Sequence, residues 1–106
     1  KPVAVVVAAL FTKETMKYIK TSDEWASLME VSKTKLVVVD FTAAWCGPCR
    51  FIGPIFEQMA QEIPSVEFVK VDVDEAQEIA AQCGIAAMPT FHYYKNGEKV
   101  DELMGA

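Results

Sequence analysis

Hydrophobic and polar residues follow recognisable helix and strand periods from residue 18 onwards. Residues 21–24 have the pattern of a capping box, and Trp25, Leu28 and Met29 follow at helical spacing, which predicts a helix. Residues 36–41 form an apolar run without alternation, which is typical of a strand buried on both faces. The predicted elements are a strand at 16–20, a helix from 21, a strand at 36–41, a helix through 52–63, a strand at 66–73, a helix at 75–83, and strands at 90–94 and 99–104.

The order of these elements predicts an α/β fold. Strands and helices alternate as β-α-β-α-β-α-β-β, so the first part of the sheet needs parallel crossover connections. The last two strands are joined by Lys95-Asn96-Gly97-Glu98, and Asn-Gly between two strand patterns is a strong hairpin signal. We therefore expect a mixed central β-sheet flanked by helices on both faces.

The first 17 residues differ from the rest of the chain. Residues 3–11 are the longest apolar run and are rich in valine and alanine. This run can be an added strand, the remnant of a targeting segment, or sequence foreign to the natural protein. We assign residues 1–17 to an N-terminal extension of unknown role and residues 18–106 to one domain.

Composition and charge exclude several classes of function. With 106 residues the chain has room for one hydrophobic core. Its formal net charge of −5 disfavours non-specific binding to nucleic acid, because phosphate backbones attract basic surfaces. No apolar run approaches the roughly 20 residues of a membrane-spanning helix, so we expect no membrane partner. The 3 cysteines are too few for a disulfide scaffold.

Cys46 and Cys49 are three positions apart, where a predicted buried strand gives way to a helix. The free N–H groups and the dipole at a helix N-terminus stabilise a thiolate, which is the species that attacks a disulfide. Cys46 can therefore open a substrate disulfide, and Cys49, one turn later, can resolve the mixed disulfide. The alternative is half of a zinc site, but only Cys83 and His92 remain as further ligands, and structural zinc usually takes two such pairs.

Four stretches resemble thioredoxins: residues 39–49, 87–91, 95–97 and 105–106. The first contains Trp45-Cys46-Gly47-Pro48-Cys49 and is similar to the active-site segment of that family. The second is similar to its cis-proline loop. The resemblance covers residues 18–106 and implies a thioredoxin fold. Thr42 and Met88 resemble the residues of eukaryotic cytosolic and plant h-type members.

The resemblance implies roles for four residues in the reaction. Cys46 would be the nucleophile and Cys49 the resolving thiol. Asp40, inside the apolar strand, would lie beneath Cys49 and shuttle its proton as a general base; the alternative is a buried carboxyl satisfied by hydrogen bonds alone. Lys70 would pair with Asp40 and help to ionise it; the alternative is a lysine at the surface.

The resemblance also implies a surface for binding the substrate around Cys46. Pro89 would be cis and face the cysteines, and the backbone of Met88 would pair with an extended substrate segment. A flat apolar rim would consist of Trp45, Gly47, Pro48, Met88 and Gly105. Trp45 can instead be a residue of the core.

The remaining cysteine and the single histidine are interpreted as structural. Cys83 completes an apolar helix face with Ile79, where a free cysteine packs as a small hydrophobic residue; a regulatory thiol is the alternative. His92 lies in a predicted strand, and nothing in the sequence pairs it with Cys46 as a catalytic dyad would require.

The chain departs from the family pattern at its end. Thioredoxins continue after the Gly-Ala pair with an amphipathic helix that covers one sheet face, and this final helix is missing from the expected fold. Uncovered apolar side chains would each lose about 1.5–3 kcal/mol of burial energy. Three alternatives could cover this sheet face: a helix beyond the given sequence, residues 1–10, or a second copy in a homodimer.

These observations predict a thiol–disulfide oxidoreductase that reduces disulfide-containing proteins. The resemblance implies that electrons come from NADPH through thioredoxin reductase. No Gly-x-Gly-x-x-Gly follows a strand, so we expect no bound cofactor, and we expect no metal. Reducing thiols without an intact secretory signal favour a cytoplasmic location. The alternatives are a disulfide oxidase or isomerase, which usually has His between its cysteines, and a redox-switched protein-binding module.

Overall fold

The computed structural model describes residues 16–105, so the predictions for residues 1–15 and for Ala106 lie outside the described residues. Within this range the chain forms three helices and four strands. In chain order these are α1 (Ser22–Val31), β1 (Val37–Thr42), α2 (Gly47–Glu62), β2 (Glu67–Asp72), α3 (Gln77–Gln82), β3 (Thr90–Lys95) and β4 (Glu98–Met104). None of these helices has the length and the hydropathy that would let it cross a membrane.

The four strands form one mixed sheet in the order β2-β1-β3-β4. β1 is parallel to β2 and antiparallel to β3, and β4 is antiparallel to β3. The turn between β3 and β4 holds Asn96 and Gly97 at positive φ angles of 55° and 77°, as a two-residue hairpin turn requires. The predicted mixed sheet and its final hairpin are confirmed.

The prediction of a short strand at residues 16–20 is wrong. Tyr18 makes a single parallel bridge with Lys70, flanked by hydrogen bonds from the Ile19 N–H to the Lys70 carbonyl (2.9 Å) and from the Lys70 N–H to the Lys17 carbonyl (3.0 Å). Because Thr21 already caps α1, the pairing cannot extend further along the chain. The segment therefore lies beside β2 without forming a fifth strand.

A side-chain cap begins α1, and a side-chain hydrogen bond holds the turn that precedes α3. The Thr21 hydroxyl accepts a hydrogen bond from the Glu24 N–H, and the Glu24 carboxylate accepts one from the Thr21 N–H, so the predicted capping box forms. α3 is shorter than the predicted helix at 75–83, because the Asp72 carboxylate accepts a hydrogen bond from the Asp74 N–H and holds the chain after β2 in a turn.

Helices pack against both faces of the sheet, as predicted. On one face α1 and α3 bury Leu28 and Ile79 against the strands. On the other face α2 buries Phe56, whose ring centroid lies 5.3 Å from that of Phe68 in β2 and 5.9 Å from that of Phe91 in β3. The Phe56 ring therefore anchors α2 to two strands at once.

An open apolar groove lies between α2 and the sheet within residues 16–105. Its volume is about 330 Å³. Residues that line it include Ile55, Met59, Ile63, Phe68, Tyr93 and Leu103. Four of its lining side chains, Ile55, Met59, Ile63 and Leu103, are exposed.

Replacing Phe56 with leucine tests the anchor of α2. The substitution removes two ring–ring contacts and keeps an apolar side chain, so we expect the free energy of unfolding in urea to fall by about 1–2 kcal/mol. Phe51→Leu is the matched control, because Phe51 lies on the same helix with 72% of its surface exposed. The control should change the free energy by less than about 0.5 kcal/mol. Equal losses in both variants would contradict the anchoring role.

Candidate active site

Cys46 and Cys49 lie where the chain passes from β1 into α2. Cys46 is the N-cap residue of the helix, with an extended backbone, and Cys49 lies in the first turn. The two residues form a disulfide with their Cα atoms 5.2 Å apart, and the Cys49 N–H donates a hydrogen bond to Cys46 Sγ at 3.2 Å. The structure thus places the two predicted reactive cysteines together at a helix N-terminus.

The residues around the cysteines suit this position. Pro48 lies in the first turn of α2, where its missing N–H removes no helical hydrogen bond. Gly47 and Pro48 are exposed, whereas both cysteines are largely buried. The unpaired N–H groups and the dipole of a 16-residue helix favour negative charge at the cap. A reduced Cys46 therefore has an environment that favours the thiolate.

The loop before β3 closes the site on another side of Cys46. The Met88–Pro89 peptide bond is cis, as the resemblance implies, and the Met88 carbonyl oxygen lies 3.7 Å from Cys46 Sγ. Gly105 follows β4 and donates its N–H to the Pro89 carbonyl at 2.9 Å, with a φ of 85° that favours glycine. Gly105 is therefore bound to the loop that contacts the nucleophile, although the sequence separates them widely.

Trp45 lies on the surface beside the nucleophile. Its side chain is 64% exposed, so the alternative of a core residue is wrong. The indole Nε1 donates a hydrogen bond to Asp74 Oδ2 at 2.9 Å. Asp74 is absent from the predicted site, because no local pattern indicates a contact between residues 29 positions apart. This hydrogen bond fixes the indole next to the N-terminus of α2.

Asp40 lies in the middle of β1 with 1% of its surface exposed. Its Oδ1 atom is buried and has no hydrogen-bond partner among residues 16–105. Burial raises the pKa of Asp40 to about 6; the positive charge of Lys70 opposes this effect and the negative charge of Glu57 adds to it. A carboxyl group with this pKa can accept or release a proton near neutral pH.

Lys70 is buried beside Asp40, so the alternative of a surface lysine is wrong. The two residues are cross-strand neighbours in the register of β1 and β2. The Lys70 ammonium nevertheless donates its hydrogen bond to Glu57 Oε2, at 2.8 Å. Glu57 is absent from the predicted site, although its position two helical turns after Cys49 places it on the same side of α2. The positive charge of Lys70 thus lowers the pKa of Asp40 from the neighbouring strand, but the ion pair of Lys70 is with Glu57.

The buried His92 and the half-buried Cys83 lie in a separate cluster around Tyr94. Cys83 Sγ is 3.6 Å from the Tyr94 hydroxyl, and burial raises the pKa of this thiol, which disfavours a reactive thiolate. His92 Nδ1 is 3.2 Å from the same hydroxyl, and burial lowers the pKa of the imidazole, so the ring is neutral at pH 7. These contacts support the structural interpretation of both residues. Within residues 16–105 no group of three or more His, Cys, Asp or Glu side chains is arranged to hold a metal ion.

Comparisons with known proteins identify the family. Residues 16–106 match the family model described as Thioredoxin. Thioredoxin-1 of Schizosaccharomyces pombe is 52% identical over 91 residues, which are 86% of this chain and 86% of that protein. Thioredoxin H-type 1 of Nicotiana tabacum is 51% identical over 86 residues, which are 79% of this chain and 68% of that protein. The X-ray structure of Fasciola hepatica thioredoxin matches with a TM-score of 0.82 and 49% identity, covering 85% of this chain and 86% of that chain.

Fold and site together define a thiol–disulfide oxidoreductase that acts through a cysteine pair. The family match spans most of the chain and the relatives are about half identical to it, so the chain belongs to the thioredoxin family. The predicted family, fold class and reaction type are confirmed. The tobacco relative agrees with the expected likeness to plant h-type members. Members of this family act on disulfide-containing proteins.

Replacing Asp40 with asparagine tests the raised pKa through stability. The pKa of Asp40 is higher in the folded chain than in the unfolded chain, so its favourable contribution is complete below about pH 4 and is lost as the pH rises through about 6. Asparagine does not ionise. We expect the variant to gain about 2 kcal/mol in free energy of unfolding, relative to the wild type, between about pH 4.5 and pH 8. Urea denaturation at both pH values measures this gain, and a difference independent of pH would contradict the raised pKa.

Proposed function

We propose that this chain reduces disulfide bonds in proteins, with Cys46 as the nucleophile and Cys49 as the resolving thiol. The observation that carries the proposal is the cysteine pair at the N-terminus of α2, with Cys46 Sγ 3.7 Å from the Met88 carbonyl oxygen. Such a pair stores two electrons as a dithiol and releases them when it becomes a disulfide.

The first step uses the thiolate of Cys46. It attacks one sulfur of the substrate disulfide, so a Cys46–substrate bond forms and the substrate S–S bond breaks. The electron pair of the broken bond goes to the other substrate sulfur, which leaves as a thiolate and takes a proton from water. The exposed Gly47 and Pro48 leave room for a protein substrate at the helix N-terminus.

The second step uses Cys49 and Asp40. The Asp40 carboxylate accepts the proton of the Cys49 thiol, and the resulting thiolate attacks Cys46 Sγ. The Cys46–Cys49 disulfide forms while the Cys46–substrate bond breaks, and the second substrate sulfur leaves with the electron pair. This sulfur takes a proton from water, and Asp40 later releases the proton of Cys49 to water. The substrate gains two electrons and two protons in total. The chain finishes in the disulfide state described above.

We further propose that the substrate lies in an extended conformation along the backbone of Met88, before the cis Pro89. Trp45, Gly47, Pro48 and Gly105 would form the apolar rim around it. The exposed indole of Trp45 and the hydrogen bond that ties Gly105 to Pro89 support this arrangement. A flat apolar rim suits varied partners, because it makes few demands on substrate side chains.

The electron source and the location are also proposals. Electrons would come from NADPH through thioredoxin reductase, without a cofactor bound to this chain. The reducing direction and the half-buried free thiol of Cys83 favour the cytoplasm, where thiols stay reduced. Gly47 and Pro48 between the cysteines favour a reductase over an oxidase or isomerase. A measured reduction potential near about −270 mV would support the reductase, and one near about −120 to −180 mV would contradict it.

Insulin reduction tests the central proposal. We expect the wild type to reduce insulin disulfides in the presence of a dithiol donor, and Cys46→Ser to fall to the uncatalysed rate because it removes the nucleophile. Cys83→Ser is the matched control and should keep the wild-type rate, since Cys83 lies in the separate cluster with Tyr94. A folded wild type that shows only the uncatalysed rate would contradict the reductase and leave the redox-switched binding module as the explanation.

The domain boundary and the homodimer remain proposals. We propose that residues 18–106 form the functional domain and that residues 1–17 extend it, with the buried Met16 packing against the core beside Phe56. A second copy is one of the three proposed covers of the apolar groove. The lining of this groove is apolar, including the exposed Met59 and Leu103, which supports such an association.

Native mass tests the homodimer. Light scattering after gel filtration should give twice the 11.7 kDa calculated for one chain, and Met59→Lys should return the mass to that of the monomer because it places a charge in the apolar groove. Lys95→Glu, an exposed change in charge away from the groove, is the control and should leave the mass doubled. A wild-type mass of one chain at all concentrations would contradict the homodimer.

A further inference from the structure

Three residues of α2 form a line of successive helical turns that faces the buried charges of the sheet. Cys49, Gly53 and Glu57 are spaced by four residues, so they lie on one side of the helix. Gly53 is buried, and a Cβ atom built there would lie 3.4 Å from Lys70 Nζ. The ammonium of Lys70 therefore lies close to the helix at this turn.

Lys70 and Glu57 form the most buried ion pair of residues 16–105. Lys70 Nζ and Glu57 Oε2 are 2.8 Å apart, and the two side chains are only 5% and 13% exposed. A buried ion pair is sensitive to the loss of either partner, because the remaining charge is left uncompensated in a medium of low dielectric constant. Glu57 thus fixes where the positive charge of Lys70 resides.

Asp40 completes an arrangement with two carboxylates and one ammonium. Lys70 faces Asp40 from β2, and Glu57 reaches Lys70 from α2. The other groups nearby are Tyr18, with its ring centroid 6.0 Å from Lys70 Nζ, the uncharged Phe91 of β3, and Cys49, which does not titrate in the disulfide. One ammonium cannot neutralise two buried carboxylates. The carboxyl that Lys70 does not bind therefore favours its protonated form.

We propose that Glu57 is a positioning residue that holds Lys70 on the α2 side and thereby controls the pH at which Asp40 becomes the carboxylate that deprotonates Cys49. This inference rests on the proposed reductase function for its kinetic consequence and on the geometry alone for the charge state of Asp40. The Oδ1 atom of Asp40, which has no partner within the described residues, agrees with a Lys70 engaged elsewhere.

The direction of each electrostatic effect on Asp40 agrees with this arrangement. Burial is the largest cause of its raised pKa, the charge of Lys70 lowers the pKa, and the charge of Glu57 raises it. Removing the charge of Glu57 should therefore lower the pKa of Asp40, and removing the charge of Lys70 should raise it. A purely structural role of the ion pair would not produce opposite changes from its two halves.

The test titrates Asp40 directly in the oxidised protein, where neither active-site cysteine exchanges a proton. The ¹³C chemical shift of the Asp40 carboxyl is followed against pH in the wild type, Glu57→Gln, Lys70→Gln and Glu62→Gln. Glu62 is the matched control, because it is an exposed glutamate at the end of the same helix that accepts a hydrogen bond from Gln58.

We expect the titration midpoint of Asp40 to move to lower pH by about half a pH unit or more in Glu57→Gln and to higher pH in Lys70→Gln. Glu62→Gln should leave it unchanged. Glu57→Asp keeps the charge and should titrate closer to the wild type than to Glu57→Gln. Equal midpoints in Glu57→Gln and the wild type would overturn the proposal, as would a shift in Glu62→Gln of the same size.

The double variant Glu57→Gln/Lys70→Gln replaces the single variant if Glu57→Gln does not fold. It removes both charges of the ion pair, so it leaves no uncompensated charge between Lys70 and Glu57. Its Asp40 midpoint should lie below that of Lys70→Gln, since only the latter retains the negative charge of Glu57. A midpoint equal to or above that of Lys70→Gln would overturn the proposal.

A kinetic measurement links the charge state to the reaction. Reduction of fluorescently labelled insulin is measured at about pH 5.5 and pH 8, and the ratio of the two rates is compared between variants. With a midpoint near 6, lowering it by about half a pH unit raises the ionised fraction of Asp40 at about pH 5.5 roughly twofold and hardly changes it at pH 8. The rate at the lower pH divided by the rate at the higher pH should therefore rise about twofold in Glu57→Gln. The ratio should fall in Lys70→Gln. An inactive wild type would defeat the reductase proposal and leave the titration result standing, so the two failures are distinguishable.

Discussion

The ring of Phe56 packs against Phe68 and Phe91, and this contact holds α2 across the sheet. α2 continues through Pro54 from Gly47 to Glu62, although this proline removes one backbone hydrogen bond between the anchor and the N-terminal turn. The anchor holds to the sheet the helix that carries the turn with Cys46 and Cys49. It also sets the position of Glu57, one residue further along the helix. The sulfur chemistry and the buried charges consequently depend on one packing contact.

The second constraint is the burial of charge between α2 and the sheet. Asp40 costs stability when it ionises, because burial has raised its pKa to about 6. A neutral residue there would pack more favourably at neutral pH. The chain instead keeps a carboxyl that can exchange a proton at this pH, on the side of the sheet that faces the helix of the resolving cysteine. Because Lys70 and Glu57 form an ion pair, their charges compensate each other. Asp40 is then the one buried carboxyl whose ionisation lowers the stability of the fold.

The predictions that were confirmed and those that failed differ in the range of the interactions involved. The capping box at Thr21 and Glu24 and the turn at Asn96-Gly97 depend on residues within four positions, and both formed as predicted. The strand expected at residues 16–20 became a single bridge, because the helix cap that follows it competes for the same short segment. The indole of Trp45 donates its orienting hydrogen bond to the Asp74 carboxylate, and no residue near either of them in sequence indicates this contact.

The sequence by itself determined the order of helices and strands, the mixed sheet, and the position of Cys46 and Cys49 at the start of a helix. These features follow from periodicity, turn residues and caps, which act over a few residues. Only the tertiary structure decided that the Met88 carbonyl lies beside Cys46 and that Lys70 binds Glu57 while Asp40 keeps an unpaired oxygen. Such contacts depend on how α2 and the β3 loop pack on the sheet, and a local pattern carries no information about which distant side chain fills a buried position.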